Sequence, residues 1–267
     1  MRSHLRAGLT GLLTVSLAAP GLHAQSAEDE IRLGVAAREA RTPQVALEHF
    51  RAALALDSAS YEARWRAAEA LMDMGKQTPD SVKSADRDSI YADAERYARR
   101  AVELSPDSAD GHYALAAAIG RASLTKSKKE RVRRAGEVRA EALRALDIDP
   151  SHHKADHVLG RWNAEIMRLS GFQRFFAKTF LGGKIFNAAS WDSAEVYMKK
   201  AVELSPNTIY DRLELAEILV DRERYTDARA ELDQLAQLPI SDVMDPTYQS
   251  DGAALLRKIE GKEDKGR

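Results

Sequence analysis

The sequence predicts an all-α protein that folds as a helical solenoid. The six residues of 101–106, AVELSP, recur identically at 201–206, and degenerate copies stand at 53–58 and 145–150. A sequence motif that recurs along a chain in this way is typical of stacked helical repeats. The composition agrees, because the 267 residues include only 8 prolines and 15 glycines, while alanine, the best helix former, is frequent.

The composition also excludes several classes of protein. The 40 basic and 41 acidic side chains argue against a protein that coats nucleic acid. The absence of cysteine excludes disulfides, thiolate nucleophiles and cysteine-based zinc sites. No nucleophile elbow, P-loop or dinucleotide fingerprint is present. We therefore predict no catalytic residue, no cofactor and no metal.

The first 24 residues have the layout of a secretory signal peptide. A basic start with Arg2 and Arg6 precedes an apolar run over 7–19, and Ala24 supplies a small residue at the cleavage site. The apolar run is too short for a comfortable membrane-spanning helix, and no later segment is long and apolar enough for one. We expect an exported protein, periplasmic or extracellular, that begins after residue 24.

Residues 25–240 are predicted to form about five helix pairs, because one spacing of small and apolar residues returns five times. The matching positions are Ala46, Phe50 and Ala53; Ala94, Ala98 and Ala101; Val138, Ala142 and Ala145; Ala194, Met198 and Ala201; and Ala228, Leu232 and Leu235. The helix that precedes carries Leu33-Gly34 or Leu159-Gly160 at the equivalent place. This pattern resembles the tetratricopeptide repeat, a helix–turn–helix unit of 34 residues.

Three insertions and a cap complete the predicted architecture. The copies of the repeat are further apart than 34 residues, and the excess falls near 74–89, 120–131 and 168–190. Such insertions should project from one edge of the stack. A capping helix is predicted within 241–260, with Asp251 as its N-cap and Ile259 near its end. Residues 261–267 are predicted to be a disordered tail.

A more specific resemblance begins at Leu159-Gly160-Arg161-Trp162. Together with the phenylalanine-rich insertion, the run 194–201 and the terminal helix, this segment resembles the regulator of microtubule dynamics family over about residues 90–260. The resemblance implies a helical-repeat adaptor, associated in animals with microtubules or organelle membranes. The signal peptide departs from that pattern. We therefore expect a bacterial relative in the cell envelope, with the fold retained and a different role.

The resemblance to tetratricopeptide proteins implies a concave groove that is lined by the first helix of each pair. Aromatic and charged side chains at such positions suit an extended peptide. The candidates for a partner-binding groove are Trp65, Glu69, Tyr113, His157, Arg161, Tyr210 and Glu217. Two interpretations stay open for the aromatic members, since Trp65, Tyr113 and Tyr210 could instead only pack neighbouring repeats.

The insertion 168–190 is rich in phenylalanine and basic. The candidates for a lid or membrane contact are Phe172, Arg174, Phe175, Phe176, Lys178 and Phe180. Helical spacing places the four phenylalanines on one face and the two cations on another. Such a helix could contact an anionic membrane, close over the groove around an acyl chain, bind a partner helix, or fold back as ordinary core.

Two further clusters have weaker functional interpretations. The basic run over 126–134 could bind phosphate groups or acidic partners, but it also fits a solvated helix start. His152, His153 and His157 hint at a metal, since two of them are four residues apart, but no third ligand accompanies them.

The sequence as a whole predicts a non-catalytic adaptor that binds a protein or peptide partner through the groove and the insertion edge. The alternative is a lipid or apolar-ligand binding protein that uses 168–190. A third hypothesis is an enzyme hidden in the insertions, which requires a buried carboxylate or histidine in a closed pocket. No nucleic-acid partner is expected.

Overall fold

The computed structural model describes residues 26–264. The predicted signal peptide, 1–24, lies outside the described residues, as do residues 265–267 of the predicted tail. The helices are α1 (Ala27–Glu39), α2 (Pro43–Leu56), α3 (Tyr61–Lys76), α4 (Ala85–Leu104), α5 (Ala109–Ala122), α6 (Lys128–Ile148), α7 (His153–Arg168), α8 (Gly171–Phe180), α9 (Trp191–Leu204), α10 (Ile209–Asp221), α11 (Tyr225–Gln237) and α12 (Asp245–Lys258). A 3₁₀ segment, Gly183–Ala188, separates α8 from α9.

The helices stack as five pairs, which confirms the predicted solenoid. The pairs are α1 with α2, α3 with α4, α5 with α6, α7 with α9, and α10 with α11, and each pair packs on the next. The first helices of successive pairs also contact one another, from α1 through α10. They therefore form the inner, concave layer of the curve. The final helix, α12, packs on α10 and α11 and covers the last pair.

The repeated small and apolar positions form the core. All fifteen residues of the five predicted triplets are buried, with Val138 the most exposed of them at 8%. Close approach explains the glycine in the first helix, because a Cβ at Gly34 would overlap the ring of Phe50 on α2. Gly160 in α7 has the same role, since a Cβ there would lie 3.1 Å from the backbone nitrogen of Met198 on α9.

Serine side chains begin most of the helices. Ser60, Ser84 and Ser108 each accept a hydrogen bond from the backbone N–H three residues on, at the start of α3, α4 and α5. The capping helix differs from the prediction, because it begins at Asp245 and not at Asp251. The carboxylate of Asp245 accepts hydrogen bonds from the backbone N–H groups of the preceding turn. Pro246 follows in the first helical turn, where proline fits without loss of a hydrogen bond.

The three insertions lie next to one another or to a neighbouring helix end along the stack. The first two mostly lengthen helices, so that α4 has 20 residues and α6 has 21. Arg121 at the end of α5 pairs with Asp80 in the first insertion at 3.3 Å. The third insertion forms α8 and the 3₁₀ segment, which packs against the start of α6.

Candidate functional site

Glu69 lies at the centre of an ion-pair cluster that joins three helices on the concave face. Its buried carboxylate accepts a hydrogen bond from Nη1 of Arg38 on α1 at 2.8 Å and from Nζ of Lys154 on α7 at 2.7 Å. One turn along α3, Asp73 accepts from Nε of Arg38 at 2.7 Å and from Nζ of Lys76 at 3.2 Å. The cluster therefore ties α1, α3 and α7 together.

The pKa values of these carboxylates reflect their cationic partners. Burial acts to raise the pKa of Glu69, but the charges of Arg38 and Lys154 outweigh burial and lower it to about 2. The pKa of Asp73 is also lowered, because Arg38 and Lys76 overcome the same effect of burial. Both side chains are therefore carboxylates at neutral pH.

A second cluster joins α7 to α10. Nδ1 of His157 lies 2.8 Å from Oδ1 of Asp211, and Nδ1 of His153 lies 3.6 Å from Oδ2 of the same carboxylate. Burial acts to raise the pKa of Asp211, but the two imidazoles lower it overall. Two of the three histidines that hinted at a metal therefore face an acid of the next pair, and the third, His152, lies 3.4 Å from Asp110. Across residues 26–264, no three ligating side chains converge as a metal site would require.

Arg161 extends this second cluster toward the aromatic residues of α10. Its Nη1 lies 3.1 Å from Oε1 of Glu214 and also contacts the hydroxyl of Tyr210. The ring of Tyr210 lies 4.6 Å from that of His157 and stacks on Tyr248 of α12 with 4.4 Å between centroids. Predicted groove residues thus meet in one place, where they contact a residue of the capping helix that the sequence did not indicate.

The segment 241–248 lies over part of the concave face. Burial is the larger cause that raises the pKa of Asp242, and repulsion from Asp73 on α3 adds to it, while Lys76 and Arg38 oppose it. Burial likewise raises the pKa of Tyr248, while the positive charges of Arg121 and Arg161 act to lower it. The geometric contact of this segment with the concave face is at α10, where Tyr248 stacks on Tyr210.

Glu217 ends the row on α10 and has a pKa near neutrality. Nη2 of Arg168 lies 3.3 Å from its carboxylate, while Nε of the same guanidinium binds Asp221 at 2.8 Å. Burial and the neighbouring charge of Glu214 raise the pKa of Glu217 to about 7, against the attraction of Arg168. The charge of Glu217 therefore changes near pH 7.

Over most of the concave face, donor side chains form the solvent-facing layer and carboxylates lie beneath them, whereas the order is reversed at Glu217, which is 41% exposed beside Arg168 at 27%. The donor side chains of these pairs are 22–36% exposed and their carboxylate partners 2–7%. The pairs are Arg38 over Glu69 and Asp73, Lys76 over Asp73, Lys154 over Glu69, His153 over Asp211, and Arg161 over Glu214. A ligand that lies over these pairs therefore meets hydrogen-bond donors first.

The remaining aromatic candidates have different surroundings. Tyr113 is half-buried on α5, with Nζ of Lys154 5.4 Å from its ring centroid and the ring of His152 at 5.1 Å. Trp65 is 6% exposed within the hydrophobic core, with the guanidinium of Arg66 over its ring. Tyr113 thus belongs to the concave cluster, whereas Trp65 packs the first two pairs and has little surface for a partner.

The phenylalanine-rich helix α8 does not fill the groove. Phe172, Phe175, Phe176 and Phe180 are exposed, and α8 packs chiefly on the 3₁₀ segment that follows it. These four residues are therefore neither core nor the wall of a closed apolar cavity. In contrast, Phe186 of the 3₁₀ segment is buried in the core.

The basic run over 126–134 is partly neutralised by nearby acids. Arg133 pairs with Glu130 at 2.6 Å, and Arg134 reaches Glu95 on α4 at 2.7 Å. Hydrogen bonds from Arg133 and Arg134 lower the pKa of Glu130 to about 2.

Two depressions lie away from the concave face. One of 480 Å³ is lined by Arg229, Leu256 and Glu260, and one of 170 Å³ by Tyr91, Arg121 and Arg134.

Several residues of the concave clusters were missed by sequence reasoning. They are Arg38, Asp73, Lys154, Asp211, Glu214 and Tyr248. A signal for some of them exists in the sequence, because Glu69 and Asp73 are four residues apart on α3, and Glu214 and Glu217 are three apart on α10.

Among residues 26–264, no helix combines the length and apolarity that a membrane crossing needs.

Comparisons with known proteins relate both sequence and fold to other chains. A sequence model of the family described as regulator of microtubule dynamics protein 1-3 matches residues 32–260. Regulator of microtubule dynamics protein 1 of Bos taurus is 23% identical over 208 residues, which are 77% of this chain and 64% of the relative. The Mus musculus protein of that name is 24% identical over 151 residues, 57% of this chain and 48% of the relative. The chain thus spans less than two thirds of these relatives.

The solved structures share the fold. A thermophilic TPR (tetratricopeptide-repeat) protein of Thermus thermophilus aligns with a TM-score of 0.63 and 17% identity, covering 86% of this chain and all of that one. PilF of Pseudomonas aeruginosa aligns with a TM-score of 0.50 and 16% identity, covering 89% of this chain and 93% of that one. At such identities the likeness concerns the fold alone.

Proposed function

The chain belongs to the regulator of microtubule dynamics protein 1-3 family, and we propose that it is a non-catalytic scaffold that binds a partner protein along its concave face. The partner segment that fits best is extended and acidic. Folds of this kind serve many purposes, so the chemistry of the concave face must carry the proposal.

The observation that carries the proposal is the layered charge of that face. Exposed ammonium and guanidinium groups stand above buried carboxylates that fix their positions. Lys154 uses one of its three N–H donors on Glu69, so donors remain for a ligand. Carboxylates and main-chain carbonyls of an extended peptide are the acceptors that such a row of donors recognises.

The layer is also pre-organised. The guanidinium of Arg38 is held by two carboxylates at 2.7 and 2.8 Å, so little side-chain freedom is left to lose when a ligand binds. Tyr113 and Tyr210 lie beside the cations and add rigid apolar surface, as aromatic residues do at the energetic centres of interfaces.

The export signal expected in residues 1–24 supports a further proposal, that the partner is a protein of the cell envelope or the extracellular space.

A pair of matched double variants tests the proposal. The first, Lys76→Gln with Lys154→Gln, removes two concave cations that lie 3.2 and 2.7 Å from their carboxylates. The control is Lys200→Gln with Lys199→Gln, which removes two cations of α9, the second helix of the fourth pair. These two lysines lie at the same distances, 3.2 and 2.7 Å, from their own carboxylate partners. Both double variants lose two positive charges. A difference in partner binding between them therefore depends on where the cations were lost and not on the change in net charge.

The measurement proceeds from cross-linking to a direct titration. Cross-linking mass spectrometry on an envelope extract identifies the segment that joins Lys76 or Lys154, and a synthetic peptide of that segment is then titrated by fluorescence anisotropy. We expect at least tenfold weaker binding to the concave variant and unchanged binding to the control. Equal binding to both variants would show that the concave face is not the site.

A further inference from the structure

The helix α8 carries an apolar patch that no other part of the chain covers in residues 26–264. The exposed fractions are 77% for Phe172, 60% for Phe175, 41% for Phe176 and 66% for Phe180. Elsewhere in the described chain, exposed large apolar side chains stand singly or in twos on separate elements. Isolated residues of that kind need no explanation, whereas a contiguous patch marks an interaction surface.

The patch is directed away from the body of the protein. At about 100° per residue, the four phenylalanines fall within about 140° of the helix circumference. Ala177, the buried residue of α8, lies outside this arc, about 130° from its centre. Arg174 donates two hydrogen bonds to the carbonyls of Met167 and Leu169, at 2.8 and 2.6 Å, which holds α8 against the end of α7. The orientation of the patch is therefore anchored.

The charge around the patch has a single sign. Between Glu165 and Asp192 the chain has four basic side chains and no acidic one. Lys178 lies next to the phenylalanine face by helical spacing, and Lys184 is exposed in the segment that follows α8. An apolar face bordered by cations is the pattern of helices that lie in the interface of an anionic membrane.

We propose that α8 docks this protein on an anionic lipid surface. The helix lies in the plane of the interface, with its four phenylalanines at the boundary between headgroups and acyl chains. Lys178 and Lys184 then face the lipid phosphates. The uniform charge favours a lipid surface over a partner helix, since no acidic side chain in the segment would select a particular protein surface. This docking is separate from the concave face and does not depend on it.

Vesicle co-sedimentation of residues 25–267 tests the proposal, because the basic and apolar segment 1–24 would itself bind anionic vesicles. The probes are phosphatidylcholine vesicles with and without about one third phosphatidylglycerol. We expect binding to the anionic vesicles at least tenfold stronger than to the neutral ones, and weaker binding as salt is added. The variant Phe175→Asp with Phe180→Asp should lose at least tenfold in binding.

The matched control places the same two charges on other exposed apolar positions. Val45→Asp with Val196→Asp changes two exposed valines, on α2 and α9, and should bind as the unaltered chain does. Circular dichroism checks that every variant keeps its helices. Equal binding by the two double variants would overturn the proposal, because it would show that α8 does not make the contact.

A site-specific probe locates the contact. The chain has no cysteine, so Phe172→Cys supplies a single site for an environment-sensitive fluorophore, and Val196→Cys supplies the control. Anionic vesicles should shift the emission of the probe at position 172 to the blue and leave that at 196 unchanged. An unshifted probe at 172, with no sedimentation, would overturn the proposal and leave a protein as the occupant of the patch.

Discussion

Nζ of Lys154 lies 2.7 Å from Oε1 of Glu69, although the two residues are 85 positions apart in the chain. Lys154 is in the first turn of α7 and Glu69 is in α3, so the contact passes over the intervening first helix, α5. Tyr113 of that helix lies beside the contact, with its ring centroid 5.4 Å from the ammonium group. The solenoid is therefore curved tightly enough for alternate pairs to contact each other on the concave side.

The ion pair of Lys154 with Glu69 should contribute to stability. Lys154→Gln leaves the buried carboxylate with Arg38 as its remaining partner, and we expect a loss of about 1–2 kcal/mol in the free energy of unfolding. Lys199→Gln is the control, because Glu195 keeps Arg222 and Arg224 and the loss should be about 0–1 kcal/mol. Urea unfolding monitored by circular dichroism measures both. Equal losses would contradict the expectation.

Acid should destabilise the concave cluster. The pKa of Glu69 is about 2 in the folded protein, below the 4.5 of an unperturbed glutamate, so the folded state binds fewer protons. Its stabilising contribution is present above about pH 4.5 and is lost as the pH falls toward 2. The difference in unfolding free energy between the unaltered chain and Glu69→Gln should therefore shrink over that range. A difference that stays constant from pH 6 to pH 3 would contradict this.

Glu217 should act in the opposite direction near neutrality. Its pKa is about 7 when folded, above 4.5, so the folded state binds more protons and stability falls as the pH rises from about 5 to 8. Glu217→Gln should remove this part of the pH dependence. Carboxyl ¹³C NMR gives the direct measurement, with an expected midpoint near pH 7. A midpoint below 5 would show that Arg168 dominates the site.

Two glycines in helices should respond to alanine with opposite signs. A Cβ at Gly34 would overlap the ring of Phe50, so Gly34→Ala should destabilise the protein by about 1–3 kcal/mol. Nothing lies within 4 Å of a Cβ at Gly136 in α6, so Gly136→Ala should stabilise it by about 0.5–1 kcal/mol. Thermal unfolding of the two variants compares them. A stabilised Gly34→Ala would mean that α1 and α2 can separate without cost.

The core was predictable because helix packing repeats. Positions such as Ala98, Ala142 and Ala201 follow one spacing, and every first helix meets its partner with the same geometry, so a local pattern identifies buried residues far apart in the chain. The start of α12 was not predictable from the sequence, because it depends on hydrogen bonds from the preceding turn to Asp245. Asp251 offered only a residue type that suits a helix start.

The concave site was predictable in part. Glu69, Tyr113, His157, Arg161 and Tyr210 lie on first helices and do meet one another or shared partners there. Trp65 shares the helix face of Glu69 by spacing, but it is packed in the core. Spacing identifies a face of a helix, and it cannot say how deeply a neighbouring pair buries that face.

The amino-acid sequence by itself determined the class of fold, the five helix pairs, the three insertions and the family, since these follow from periodicities and motifs that are local in the chain. Only the tertiary structure decided which charges meet. The curvature of the stack brings Lys154 to Glu69, and the packing of α12 on α10 stacks Tyr248 on Tyr210. It also leaves the phenylalanines of α8 uncovered. Curvature results from packing summed over many residues, and no single motif encodes it.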